Sequence, residues 1–190
     1  EDFTVKGGSI GRAESAKRYR IAELALQERI PLIMLLEGAG HRPPLPDDPP
    51  SFRTPGDLQA QADASGRIPL ATAILGPSAG HGALSAPLAD FTVMTEQASI
   101  FTAGPPLVKA SLGEDITKEE LGGPGIALHS GVIHNLASND ESALEQIRTW
   151  LSYLPSSAWQ TPTRLADAEG ERTVNELLNI IPENPRQAYD

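Results

Sequence analysis

The sequence predicts an α/β fold in which parallel strands are covered by helices. Two patterns carry that expectation. Apolar runs of strand length, Pro31 to Leu36 and Ile68 to Leu75, alternate with longer helical stretches along most of the chain. The breaks between them are marked by glycine and proline, seventeen of each. The 190 residues make one domain or a piece of a larger one, and a 39% hydrophobic fraction is enough to bury a core.

Phe3-Thr4-Val5 reads as a first strand ended by Gly7-Gly8-Ser9. No Met precedes it, so the sequence is expected to be a fragment. Residues 11 to 29 read as a helix with Ile21, Leu24 and Ala25 on one face. Pro31 to Leu36 is expected to be a strand covered on both faces, broken at Gly38-Ala39-Gly40. Residues 43 to 55, with six prolines, read as a loop. Thr54-Pro55-Gly56-Asp57 reads as a helix start, with a short helix to about Ala64 that stops at Gly66.

After the strand Ile68 to Leu75 come Gly76-Pro77-Ser78-Ala79-Gly80-His81-Gly82, read as a glycine elbow, and a small-residue helix from Ala83 to Leu88. Thr92 to Met94 and Ser99 to Phe101 are short strands, and Gly104-Pro105 opens a helix carrying Leu107, Val108 and Leu112. Thr117-x-x-Glu120 and Ser138-x-x-Glu141 fit capping boxes, in which side chain and backbone satisfy each other's free amides. The second leads an amphipathic helix with Leu144, Ile147, Leu151 and Leu154. The division expected is 1-155 as the folded unit and 156-190 as a proline-punctuated tail or linker.

Charge excludes some functions. Lys and Arg number 15 against 25 Asp and Glu, a formal charge of −10, which disfavours nucleic acid as the main partner. No stretch approaches the roughly 20 apolar residues of a membrane span, so no membrane partner is expected. With no cysteine, thiolate metal sites and cysteine nucleophiles are excluded. His41, His81, His129 and His134 show no metal-ligand spacing, and no metal is assigned. Positive charge is local: residues 1 to 42 hold seven of the Lys and Arg, with Arg12, Lys17, Arg18, Arg20 and Arg29 on the first helix. Such a helix is either a solvated face or a site for a polyanionic ligand.

The elbow is the strongest candidate site. Glycines let a ligand approach the backbone, and amide hydrogens left unpaired at a helix start stabilise developing negative charge. Gly76-x-Ser78-x-Gly80 also fits the nucleophile elbow of serine hydrolases, with Asp115 and His129 or His134 as nominal triad partners. Against it, Pro77 fixes the backbone just before the serine.

Asp2-Phe3-Thr4-Val5-x-Gly7-Gly8-Ser9, Gly76-Pro77-Ser78-Ala79-Gly80, Ala89 to Met94 and Gly104-Pro105-x-x-Val108-Lys109 follow one another along the chain. Glu114-Asp115-x-Thr117-x-Glu119-Glu120-Leu121-Gly122-Gly123, Ser130-Gly131-Val132-x-His134 and Tyr153-Leu154-Pro155 complete the series. In this order they resemble the carboxyltransferase β subunits of biotin-dependent acyl-CoA carboxylases, of the propionyl-CoA, acetyl-CoA and methylcrotonyl-CoA types. The resemblance covers nearly the whole chain.

That resemblance implies a crotonase-like spiral of ββα turns, here an incomplete domain and the CoA-binding half of a longer subunit, inactive by itself. It implies transfer of a carboxyl group from carboxybiotin, borne on a carrier protein, to the α-carbon of an acyl-CoA. Backbone amides would hold the thioester enolate, and the biotin site would lie on another domain. Gly80 and His81 match one glycine pair of the family's oxyanion holes; Ala39 and Gly40 match another, in a motif ending at Arg42. Each pair here keeps only one glycine. Ser78, Ala79, Gly82, Arg42, Arg12, Lys17 and Arg18 would line the acyl-CoA site. Implied partners are the biotin carboxyl carrier and biotin carboxylase subunit, and further copies of the chain through a C-terminal domain. The implied compartment is the cytoplasm, or the mitochondrial matrix in a eukaryote. The serine hydrolase is the alternative, and a catalytically silent crotonase-like scaffold the third reading.

Overall fold

The computed structural model describes residues 2–43, 56–163 and 180–187. The loop expected over residues 43 to 55 therefore lies almost wholly outside the described residues, as does much of the expected tail. The elements are β1 (Ser9–Ile10), α1 (Arg12–Glu28), β2 (Leu32–Gly38), β3 (Gly40–His41), α2 (Asp57–Ala64), β4 (Leu70–Ala79) and β5 (Phe91–Thr95). They continue with β6 (Ser99–Phe101), α3 (Pro105–Leu112), α4 (Lys118–Gly122), α5 (Pro124–His129), β7 (Asn135–Ala137) and α6 (Asp140–Ser152). One sheet has the order β2-β4-β5-β7, all parallel, with β6 paired to the end of β4. A second, two-stranded sheet joins β1 to β3 in parallel. The class is the expected one: parallel strands with helical connections.

β4 is the spine. Its alternation sends Leu70 and Ile74 to one face of the sheet and Ala71 and Ala73 to the other. Leu70 packs with Ala22 and Ala25 of α1 and Ala60 and Ala64 of α2, whereas Ala71 and Ala73 pack with Ala143 and Ile147 of α6. The small side chains let the helices lie close to the sheet.

Several expectations are corrected. Phe3 to Val5 is a turn, because the Asp2 carboxylate accepts from both the Thr4 amide (2.9 Å) and its hydroxyl (2.6 Å) and so offers the backbone a local alternative to a strand. The first strand begins only at Ser9. On α1 the buried face is Ala22 and Ala25, while Ile21 and Leu24 point outward at 55% and 39% exposure. β2 is not covered on both faces: it pairs with β4 alone, and Leu35 is half exposed. Ser138 is not the cap of α6; the Asn139 side chain accepts from the Ser142 amide at 2.9 Å, one residue later. The Thr117 capping box forms as expected.

The largest correction concerns the elbow. Gly76 to Ala79 continue β4, and the turn comes only at Gly80 to Gly82, followed by a 3₁₀ helix over Ala83–Leu88 with Pro87 inside it. The strand changes neighbours at Pro77, which needs no ladder partner for a missing N–H: Ala71 to Ile74 pair with β5, Pro77 to Ala79 with β6. A Cβ on Gly76 would stand 2.7 Å from a Glu37 carboxylate oxygen, so that exposed side chain would have to swing aside. Of the tail, Ala158 donates its amide to the Arg29 carbonyl at 2.7 Å, and the Arg29 guanidinium lies over the Trp159 ring.

Candidate functional site

β2 and β4 run side by side, and the turns that follow them meet. Gly40 and Gly80 both have left-handed backbone, φ 84° and 58°. A Cβ on Gly40 would stand 2.8 Å from the Ala79 carbonyl oxygen, so the two backbones approach as closely as they do only because position 40 carries no side chain. Each glycine is followed by a histidine. The His41 and His81 rings stack across the junction, with centroids 4.3 Å apart and planes 14° from parallel.

His81 is held from behind. Its Nε2 lies 2.8 Å from Oδ1 of Asp57, the first residue of α2, which is fully buried. The same carboxylate accepts from the Ser15 hydroxyl at 2.9 Å and from Arg18 Nε at 2.8 Å, and Arg18 Nη2 donates to the buried Ser85 hydroxyl at 2.7 Å. Burial by itself favours a protonated Asp57. It is outweighed by the hydrogen bonds from His81 and Ser15 and by the His81 and Arg18 charges, so the carboxyl titrates below the usual carboxylate range. His41 is likewise held below the ordinary imidazole range, first by burial and then by the neighbouring His81 charge.

The amides expected to act divide sharply. The Gly80 N–H donates to the Phe101 carbonyl at 2.9 Å and the Ala39 N–H to the Gly8 carbonyl at 3.2 Å, so both are used inside the fold. The His81 N–H has no acceptor among the described residues. Gly40 sits in β3, in register with Ser9. Ala79 ends β4, and Gly82 is buried at the start of the 3₁₀ helix.

Of the other expected site residues, Arg42 and Arg18 have side-chain partners within the fold. Arg42 donates to the Ser9 carbonyl at 3.1 Å and pairs with Glu14 at 3.2 Å, tying β1 to the start of α1. Arg18 is the Asp57 partner, and only 18% of its side chain is exposed. Arg12 and Lys17 remain on the exposed side of α1. Lys17 also borders a hollow of about 410 Å³, otherwise lined by Arg18, Ile21, Gln61 and β2 from Leu32 to Leu36. No residue of the Gly80–Gly82 turn lines it.

The hydrolase alternative is overturned. Ser78 is an interior strand residue, 1% exposed, opposite Gly38 and Ile100, whereas a nucleophile elbow presents its serine on a tight exposed turn. Its nominal partners are elsewhere: Asp115 pairs with Lys109 on the surface, His134 Nδ1 accepts from the Thr92 amide, and His129 ends α5. Sequence reasoning missed Asp57, which it read only as a helix start, and the contact between the two Gly-His pairs. The repeated dipeptide, Gly40-His41 and Gly80-His81, was the available signal.

The family model for the carboxyl transferase domain matches residues 1–190. The chain is 37% identical to the carboxyltransferase subunit of propionyl-CoA carboxylase from Haloferax mediterranei, over all of this chain and 37% of that protein. It is also 37% identical to the human mitochondrial propionyl-CoA carboxylase beta chain, covering 36% of it. Among solved structures, it resembles transcarboxylase 12S, a hexamer crystallised with hydrolysed methylmalonyl-coenzyme A, at a TM-score of 0.75 and 32% identity over the whole chain and 38% of that one. The chain thus spans little more than a third of the length of these relatives. The likeness carries the expected crotonase-like fold.

Proposed function

Because the chain belongs to the carboxyl transferase domain family, we propose that it is the acyl-CoA-binding part of a biotin-dependent acyl-CoA carboxyltransferase. The observation that carries the reading is the His81 N–H, without an acceptor among the described residues, on a turn where two parallel strands end. There it donates to the thioester oxygen, and its interaction strengthens as negative charge gathers on that oxygen when the α-carbon gives up its proton. Carboxybiotin on a carrier protein supplies the carboxyl group as a second substrate. The buried Asp57 carboxylate clamps the imidazole of the residue that carries the donor.

The proposal extends to the setting in which the relatives work. Arg12 and Lys17, exposed on α1, attract the CoA phosphates. The folded unit is residues 1-155, and the biotin site and much of the oligomer interface belong to parts of the protein outside this chain. The biotin carboxyl carrier and biotin carboxylase are the partners, in the cytoplasm or, in a eukaryote, the mitochondrial matrix. Among the described residues no helix is long and apolar enough to cross a membrane.

The test is carboxylation of acyl-CoA by the full-length protein supplied with its biotin carrier. His81→Pro deletes the amide hydrogen and is expected to lower kcat by roughly 100 to 1,000-fold. His81→Gly keeps it, and its loss should be much the smaller. If the two variants fall together while both remain folded by circular dichroism, the backbone donor is not what the site uses.

A further inference from the structure

We propose that the stacked His41–His81 pair is a wall that limits the length of the acyl group, and that Asp57 is the positioning residue that keeps the wall in place. This rests on the function proposed above and concerns the same site. The geometry is particular to this junction. His81 owns the unpaired amide, so a thioester bonded to that N–H places its acyl group within reach of the imidazole on the same residue. Across the junction the His41 ring lies face to face with it at 4.3 Å. The backbones beneath the rings are already at their closest approach, with Gly40 against Ala79 and Gly80, and the space between the turns cannot widen on that side without moving β3.

A wall excludes only if it does not yield. A surface histidine swings away from an incoming methylene at little cost, since its rotamers are close in energy. His81 is different. Its Nε2 is bonded to a carboxylate that is fully buried and also accepts from Ser15 and Arg18, and Arg18 is in turn anchored on Ser85. Moving the ring would leave a buried charge short of a donor. The chain also spends four polar side chains from three separate segments to hold one imidazole, more than the packing of a turn requires.

The expected behaviour is a steep dependence on acyl length. One methylene too many against an apolar contact that does not yield costs about 10-fold or more in kcat/KM. The full-length protein, supplied with its biotin carrier, is assayed on acetyl-, propionyl-, butyryl- and hexanoyl-CoA. Wild type should favour the short members. His81→Gly and His41→Ala should each raise the hexanoyl-to-propionyl ratio of kcat/KM by at least about 10-fold. Asp57→Ala, which frees the ring, should raise it too, whereas Asp57→Asn, which still offers an oxygen to His81, should stay closer to wild type. A merely structural Asp57 would lower all four substrates alike and leave the ratio unmoved. Should Asp57→Ala fail to fold, His41→Ala reads the wall by itself.

A wild-type enzyme equally active on propionyl- and hexanoyl-CoA, or a ratio unchanged in both histidine variants, overturns the wall while leaving the carboxyltransferase reading standing. No carboxylation of any acyl-CoA, with no binding of them by calorimetry, overturns both.

Discussion

Asp57 is the residue on which most depends. It is a buried anion facing Arg18, His81 and Ser15, and removing one partner of such a group costs about 3 to 5 kcal/mol because the others are left uncompensated. Asp57→Asn keeps the shape but not the charge, so its cost should fall at or below the lower end of that range. The pH dependence has a definite sign. The folded-state pKa of Asp57 is lowered, so the native state holds the proton less tightly than the unfolded chain does. The carboxylate's contribution is therefore complete above the unfolded value of about 3.9 and is lost as the pH falls through the lower folded value. Urea unfolding of wild type and Asp57→Asn should show a gap that is full at pH 7 and closes toward pH 2. His41 acts in the same direction at higher pH: its pKa is lowered by burial and by the His81 charge, with Arg18 adding to the shift and Asp57 opposing it, so stability declines as the pH drops below about 6.5.

At the scale of elements, much was legible because it is encoded locally. α1 ends within a residue of its expected bounds, α2 starts at the last residue of the segment read as its beginning, and Thr117 and Glu120 form the capping box their spacing predicts. The misreadings were tertiary. Gly76-Pro77-Ser78-Ala79 has the composition of a turn, and it is tertiary pairing, with β6 twenty-odd residues later and of Ser78 with Gly38 of β2, that makes it strand. Asp2 overrode the strand character of Phe3 to Val5 by bonding to Thr4. The α6 cap was a contest between neighbours, Ser138 and Asn139, that spacing alone decided wrongly. Asn139→Ala should cost about 1 kcal/mol in thermal or urea unfolding, and Ser138→Ala should lie within about 0.5 kcal/mol of wild type. The reverse ranking would return the cap to Ser138.

On the scale of the whole molecule, several large apolar side chains stand uncovered among the described residues. The outer edge of β2 carries a half-exposed Leu35, α1 turns Ile21 and Leu24 outward, and α3 buries none of its residues, leaving Leu107 and Leu112 more than 60% exposed. The chain spans little more than a third of its relatives' length. The site was only partly legible at this scale. The family resemblance pointed to the Gly80–Gly82 turn, but which amide on it lacks an acceptor among the described residues depends on β6, whose Phe101 carbonyl takes the Gly80 N–H and leaves that of His81. The most direct test is therefore structural: the full-length protein determined with a non-hydrolysable acyl-CoA thioether or ketone analogue. The carbonyl oxygen should lie within about 2.7 to 3.1 Å of the His81 nitrogen, with the acyl carbons against the His41–His81 pair. An oxygen bonded elsewhere, with the His81 amide still unpaired beside it, would contradict the assignment.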